Sequence, residues 1–329
     1  MLFFIILMTS VKNDKDLKIV VTAYTVTVFL YMAHSYRGFM SGNVWRFDGV
    51  SRLVGLNSLY GDPNDYGTFI VFSLPFILPL LLLCKKRWHY LFVIGYILLT
   101  LRSVMGTGSR TAFLMLVTLV VLPMIVSKHR FKLVPAMLIG TMIFWSVMPV
   151  DMQNRYRTIW DDSINEQANK NRDGRLLGFY EGMENWENYP VFGVGPSMHP
   201  MALGTLLQSH NLYGQVAGET GTFGIIAFLL MLSCFGINHF NIWKNYKYLQ
   251  EKNLGSEGRY CWCLSIAIMY AILMVLLQGM GLHNAYRFPW IWFGAFQALA
   301  ALIIMEKVDA AVKGQLLPQL PEMTKRSKR

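Results

Sequence analysis

The stretch GTFGIIAFLLMLSCFGI, residues 221–237, contains no charged side chain. With the ten residues before it, the stretch is long enough to cross a bilayer core, which takes about 20 residues of helix. The whole chain has the same character, because 54% of its 329 residues are hydrophobic and only 15% are charged. A soluble domain would need an unusually large core to hold so many apolar residues. The sequence therefore predicts a membrane protein.

Eight stretches approach the length of a membrane span, so the sequence predicts an all-α fold, a polytopic membrane helix bundle that forms one integral membrane domain over 1–329. A ninth segment, MLFFIILM at residues 1–8, is too short to cross a bilayer and lacks the charged start of a signal peptide. We interpret it as the end of a further helix and expect an N-terminally shortened chain. The eight predicted spans are 19–34, 67–84, 90–105, 111–127, 133–150, 211–237, 261–280 and 290–305.

The lysines predict the orientation of these spans. Of the 15 lysines, 14 lie in segments that fall on one side when the eight spans are threaded through a membrane. By the positive-inside rule that side is cytoplasmic, and so is the C-terminus. The net charge of +11 is then a topology signal, and the basic tail TKRSKR is a solvated or headgroup-facing end rather than a nucleic-acid site.

Two outer loops are long enough to carry chemistry, and they cover 35–66 and 151–209. The first contains GDPNDYG, in which the Asp-Pro-Asn run predicts a turn followed by a helix start. The second contains apolar residues at helical spacing from Leu176 to Trp186, which predict a short amphipathic helix that breaks at Tyr189–Pro190.

The outer loops hold one lysine but nine arginines. The guanidinium fork matches phosphate oxygens in pairs and keeps its charge, so this composition suits a phosphate-bearing ligand at the membrane surface. The alternative is that these arginines pair with acids of the same loops. Arg110 fits that alternative least, because GTGSRT is a short turn without a nearby acid in the sequence. The nine are Arg37, Arg46, Arg52, Arg110, Arg155, Arg157, Arg172, Arg175 and Arg287.

The stretch SHNLYGQVAGETG, residues 209–221, brings polar groups to the outer end of the sixth predicted span. We expect Ser209 to cap the helix and His210 to lie in its first turn, on a face with small residues such as Gly214. A histidine at a helix start is usually structural, but a neutral imidazole there can also act as a general base. Glu219 points to the opposite face, where we expect a structural role.

Several motifs together resemble the O-antigen ligase and polymerase superfamily of bacterial membrane glycosyltransferases. They are GDPNDYG, GSRTAFL with Arg110, DGRLLGFYEGMENWENYPVFGVG with Arg175, and SHNLYGQVAGETGTFGIIAF with His210. The first departs from the family's Asn-Pro-Asn-type turn, because Asp62 stands in the first place. The resemblance extends over about 53–294. The four motifs occur in the order that the family has, and all four lie on the predicted outer side.

The resemblance implies a metal-independent, inverting transfer of a glycan from an undecaprenyl-pyrophosphate carrier to a hydroxyl of a lipid core, a glycan or a protein, at the outer face of the bacterial cytoplasmic (inner) membrane. It requires no cofactor, and its partners are these two substrates and membrane lipids. His210 is the expected base, and Arg110 and Arg175 are expected to bind the pyrophosphate, with Arg172 in reserve. The residues expected to support them are Asn211, Tyr213, Glu219 and Asn64.

Alternatives from other classes remain open. A transporter would need a cavity that opens to either side, which the long outer loops and short inner loops do not favour, and no internal repeat is visible. A structural or regulatory membrane subunit would not depend on the arginines. Within the enzyme class, the sequence does not separate a ligase from a repeat-unit polymerase or a protein O-glycosylating relative.

Overall fold

The computed structural model describes residues 2–47, 50–56, 60–127, 130–161, 166–204 and 208–316. These residues form thirteen α-helices and one antiparallel hairpin. The helices are α1 Leu2–Ser10, α2 Asp14–Met40, α3 Pro63–Ser73, α4 Ile77–Leu81, α5 Arg87–Thr107, α6 Arg110–Val126, α7 Arg130–Ser146, α8 Val150–Arg157, α9 Glu166–Asn188, α10 His199–Leu203, α11 Leu212–Glu251, α12 Gly255–Gly279 and α13 Pro289–Val312. The strands are β1 Trp45–Phe47 and β2 Val50–Arg52.

Six helical segments are long and apolar enough to cross a membrane, so the chain is a multi-pass membrane protein and the predicted all-α membrane fold is confirmed. Each of these segments corresponds to one of the eight predicted spans. The other two predicted spans, 111–127 and 133–150, correspond to α6 and α7, which have 17 residues each. At 1.5 Å per residue such a helix is about 25 Å long, slightly less than the roughly 30 Å of a bilayer core. The six are Asp14–Met40, Pro63–Leu81, Arg87–Thr107, Leu212–Glu251, Gly255–Gly279 and Pro289–Val312.

The bundle has α12 at its centre, where the helix packs against α3, α4, α6, α11 and α13. One end of the bundle carries charged side chains from the lysine-rich segments. Lys307 near the end of α13 lies 3.1 Å from Asp14 at the start of α2 and donates to the Glu257 carbonyl of α12 at 2.7 Å. The opposite end gathers the starts of α3, α6, α11 and α13, and every candidate site residue lies toward that end.

Helix α9 packs closely on α11 through glycines on both helices. A Cβ atom added to Gly182 would lie 2.3 Å from the Gly214 carbonyl oxygen, and one added to Gly218 would lie 2.7 Å from the Gly182 oxygen. Backbones approach this closely only where side chains are absent. The small residues predicted on the first turns of α11 therefore accommodate α9.

Helix α11 is interrupted at Gly221, whose φ of 62° and ψ of −161° lie outside the helical region. The interruption frees carbonyls in the preceding turn, and the loop after α9 satisfies them. Val194 N–H donates to the Gly218 carbonyl at 2.9 Å, and Gly195 N–H donates to the Glu219 carbonyl at 3.0 Å. On the other side of the break, Thr222 N–H donates to a carbonyl of the same loop, that of Pro190. The backbone of the Pro-x-x-Gly-x-Gly motif thus hydrogen-bonds to α11 on both sides of its interruption and stabilises the bend.

We expect Gly182→Ala to destabilise the fold, because the new methyl group meets backbone atoms of α11 that cannot rotate away. The overpacking should cost about 1–3 kcal/mol of unfolding free energy. Thermal unfolding in detergent measures the effect as a fall in the melting temperature.

Gly174→Ala is the matched control, because it lies on the same helix and a Cβ there meets no atom of the described residues within 4 Å. Its unfolding free energy should stay the same or rise by up to about 1 kcal/mol through helix propensity. Equal melting temperatures for the two variants would contradict the close packing of α9 on α11.

Candidate functional site

His210 lies just outside helix α11, with an exposed side chain at the end of the bundle opposite Lys307. The predicted cap was wrong by two residues. Asn211 caps the helix, and its Oδ1 accepts hydrogen bonds from the N–H groups of Tyr213 and Gly214 at 3.0 and 3.1 Å. Ser209 does not cap because its hydroxyl donates to the Gly178 carbonyl of α9 at 2.8 Å.

Helix α9 connects His210 to the candidate arginine Arg175. A Cβ added to Gly178 would lie 3.0 Å from the His210 backbone nitrogen, and Arg175 lies one turn before Gly178. Gly178 therefore lets α9 approach the His210 backbone one turn after Arg175.

Arg175 is partly buried, and its Nη1 donates to the Thr111 hydroxyl at 3.4 Å. Burial lowers its pKa, Asp62 opposes the shift and Arg155 adds to it. Arg110 precedes Thr111, and its Nη1 donates to the Thr158 hydroxyl at 3.2 Å. Both predicted arginines thus involve the first turn of α6, because Arg110 begins that helix and Arg175 hydrogen-bonds to Thr111.

Two further arginines join them. Arg155 donates through Nε to the Gly108 carbonyl at 2.9 Å, and Arg52 donates to the Thr107 carbonyl at 2.6 Å. Both belong to the nine arginines of the predicted outer loops, but neither was predicted as a site residue. We call Arg52, Arg110, Arg155 and Arg175 the arginine cluster.

The electrostatics of the cluster are visible at Arg52, which is 3% exposed. Burial lowers the pKa of Arg52 to about 9, Arg155 and Arg110 act in the same direction, and Asp62 opposes them. The Arg52 guanidinium stays protonated at pH 7, but its charged form is less stable here than it would be in water. Like charges held together in a poorly solvated place favour the binding of an anion.

The predicted Asp-Pro-Asn turn holds Arg52 in place. Asp62 caps α3, with its Oδ1 accepting from the backbone N–H groups of Asn64 and Asp65 at 2.7 and 3.1 Å. This orientation leaves the Asn64 amide oxygen to accept from Arg52 Nη2 at 3.0 Å. Asp62 therefore supplies the cap of α3 and a negative charge near the cluster.

The loop between α12 and α13 packs beside His210. The His283 and His210 rings lie 5.4 Å apart, and Arg287 Nη2 lies 2.9 Å from Asp65 Oδ2. Burial lowers the pKa of His283 to about 4, and His210 and Arg287 add to the shift, so this imidazole is neutral at pH 7. This loop was not predicted as part of the site, because its sequence GLHNAYRF carries no motif.

Two of the remaining candidates, Tyr213 and Glu219, make their described hydrogen bonds outside the arginine cluster. Tyr213 donates through its hydroxyl to the Leu276 carbonyl of α12 at 3.1 Å. Glu219 is fully buried, accepts from Gln215 Nε2 at 3.3 Å and lies beside the Tyr286 hydroxyl. The side chain of Arg172 lies outside the described residues.

Metal ligands do not cluster in the part of the chain that the structure describes, where no group of three or more His, Cys, Asp or Glu side chains could hold an ion. In the described site, the positive charge is supplied by guanidinium groups.

Residues 95–229 match the family model Wzy_C, O-antigen ligase. Over these residues, the predicted resemblance to the O-antigen ligase superfamily is confirmed. The matched segment contains Arg110, Arg155, Arg175 and His210, whereas Arg52 and the α12–α13 loop lie outside it. No curated protein gives a significant match to the chain.

Proposed function

We propose that this O-antigen ligase-like protein transfers a glycan from an undecaprenyl-pyrophosphate carrier to an acceptor hydroxyl at the outer face of the bacterial cytoplasmic membrane. The observation that carries the proposal is the arginine cluster near His210, with Arg110, Arg155, Arg175 and His210 inside the segment of O-antigen ligase similarity. The cluster suits a pyrophosphate in charge, and the exposed imidazole suits a proton acceptor.

In the proposed reaction, His210 takes the proton of the acceptor hydroxyl as its oxygen attacks the anomeric carbon of the first sugar. A new glycosidic bond forms while the bond from that carbon to the pyrophosphate breaks. The electron pair leaves with undecaprenyl pyrophosphate, whose added negative charge is stabilised by Arg110 and Arg175, with Arg52 and Arg155 behind them. The configuration inverts in this single displacement, and no metal is required.

The charge distribution supports the outer face as the location. The cluster and His210 lie at the bundle end opposite Lys307, Lys85 and Lys244–Lys252. By the positive-inside rule the lysine end is cytoplasmic, which places the C-terminus there and the site outside. The glycan-bearing carrier would bind with its lipid tail in the bilayer and its pyrophosphate at the cluster.

The surface-glycan profile of a strain lacking this gene tests the proposal and separates ligase from polymerase. We expect the strain to make long chains that stay on the carrier lipid, and the native gene to restore their attachment. A strain that shows only single repeat units would identify a polymerase of the same superfamily. An unchanged profile with and without the gene would contradict glycan transfer.

A further inference from the structure

The α12–α13 loop contacts the candidate site at three points in chain order. Arg175 packs on Gly281, where an added Cβ would lie 3.3 Å from its guanidinium. Two residues on, His283 faces His210. Four residues later, Arg287 pairs with Asp65 on α3. Along this loop, His210 therefore comes between the arginine cluster and the Asp65–Arg287 pair.

The order of these contacts matters because of the geometry of the proposed displacement. The acceptor oxygen must attack the anomeric carbon from the side opposite the leaving pyrophosphate. If the pyrophosphate lies at the arginine cluster, the acceptor must approach from the other side of the imidazole. Along the loop, the groups that follow its contact with Arg175 are His283, which lies beside His210, and Arg287 with its partner Asp65.

We propose that Asp65 and Arg287, with His283, form the binding site for the acceptor, a hydroxyl-rich sugar ring. This inference rests on the proposed function and adds the second substrate to it.

The chemistry of these side chains suits sugar hydroxyls. The Asp65 and Arg287 side chains are 17% and 35% exposed, so the pair is partly open to a ligand. A carboxylate accepts hydrogen bonds and a guanidinium offers up to five donors, of which Arg287 gives one to Asp65. His283 is neutral, and its Nδ1 is buried without a hydrogen-bond partner among the described residues. Donors and acceptors therefore lie together, as the alternating hydroxyls of a sugar require.

Asp65→Asn and Arg287→Gln test the proposal through two separate measurements. The first is glycan attachment in the complemented null strain, which we expect to fall at least about tenfold, the effect of losing a charge-assisted hydrogen bond. The second is binding of undecaprenyl pyrophosphate, without sugar, to the purified full chain in nanodiscs. We expect the affinity to stay within about twofold of the native value, whereas Arg175→Gln should weaken it at least tenfold.

A charge-swapped double variant, Asp65→Arg with Arg287→Asp, separates binding from a structural role. If the pair only joins α3 to the loop, the swap should restore attachment. If the pair binds the acceptor, the exchanged groups face the wrong hydroxyls and attachment stays low, with normal protein level and melting temperature.

Three results would overturn the proposal: full attachment in the single variants, restored attachment in the swap, or single variants that weaken carrier binding as much as Arg175→Gln does. Failure of the proposed function is distinguishable, because then the native gene would not restore attachment and the native chain would not bind undecaprenyl pyrophosphate.

Discussion

His210→Ala is expected to abolish glycan attachment, with a loss of about 10²–10⁴-fold, the contribution of a positioned general base. The His210 imidazole is exposed, and the helix cap is the next residue, Asn211. Removal of the imidazole therefore takes away a proton acceptor without removing the cap. The measurement is the amount of attached long-chain glycan in the complemented null strain, normalised to protein level.

The neighbouring histidine His283 provides a matched control for the base. His283→Ala leaves the proposed base His210 in place. Because His283 belongs to the proposed acceptor site, we expect any loss of attachment in this variant to come from weaker binding of the acceptor. His210→Gln should be as inactive as His210→Ala, because an amide is about the size of the ring but accepts no proton at neutral pH. Attachment by His210→Gln above about a tenth of the native level would contradict the role of His210 as base.

Arg175→Lys and Arg110→Lys should each lower the transfer rate by about 10²–10³-fold, as the loss of a preorganised donor to a developing charge does. Lysine keeps the charge but loses the planar fork that binds two phosphate oxygens at once. The rate of undecaprenyl pyrophosphate release from a purified glycan carrier measures this effect.

Arg157→Lys is the control for these variants, because Arg157 is an exposed arginine whose described hydrogen bond goes to Asn154 of its own helix. Its rate should stay near the native value. Equal losses at Arg157 and Arg175 would indicate a general need for outer arginine rather than a pyrophosphate-binding cluster.

The membrane fold follows from the sequence because hydrocarbon imposes a length and a composition on every span. The ends of the helices do not follow in the same way. Helix α11 continues from the predicted end at 237 to Glu251, since backbone hydrogen bonds persist in water after the apolar stretch stops. The β1–β2 hairpin was not predicted either, although it places Arg52 in the arginine cluster.

The candidate site could be predicted where a motif marks it and not where tertiary packing assembles it. Arg110, Arg175 and His210 lie within motif segments. Arg52 and Arg155 become candidates only because α8 and the hairpin fold toward the start of α6. The contact between Asp65 and Arg287 joins residues 222 positions apart, a pairing that no local pattern indicates.

The most direct test of the central claim is release of undecaprenyl pyrophosphate by the purified, reconstituted chain, given carrier-linked glycan and acceptor extracted from the host. The account predicts release that depends on the acceptor, persists in a metal chelator and disappears in His210→Ala. Release that is unchanged in His210→Ala, or no release by a native chain that binds the carrier, would contradict it.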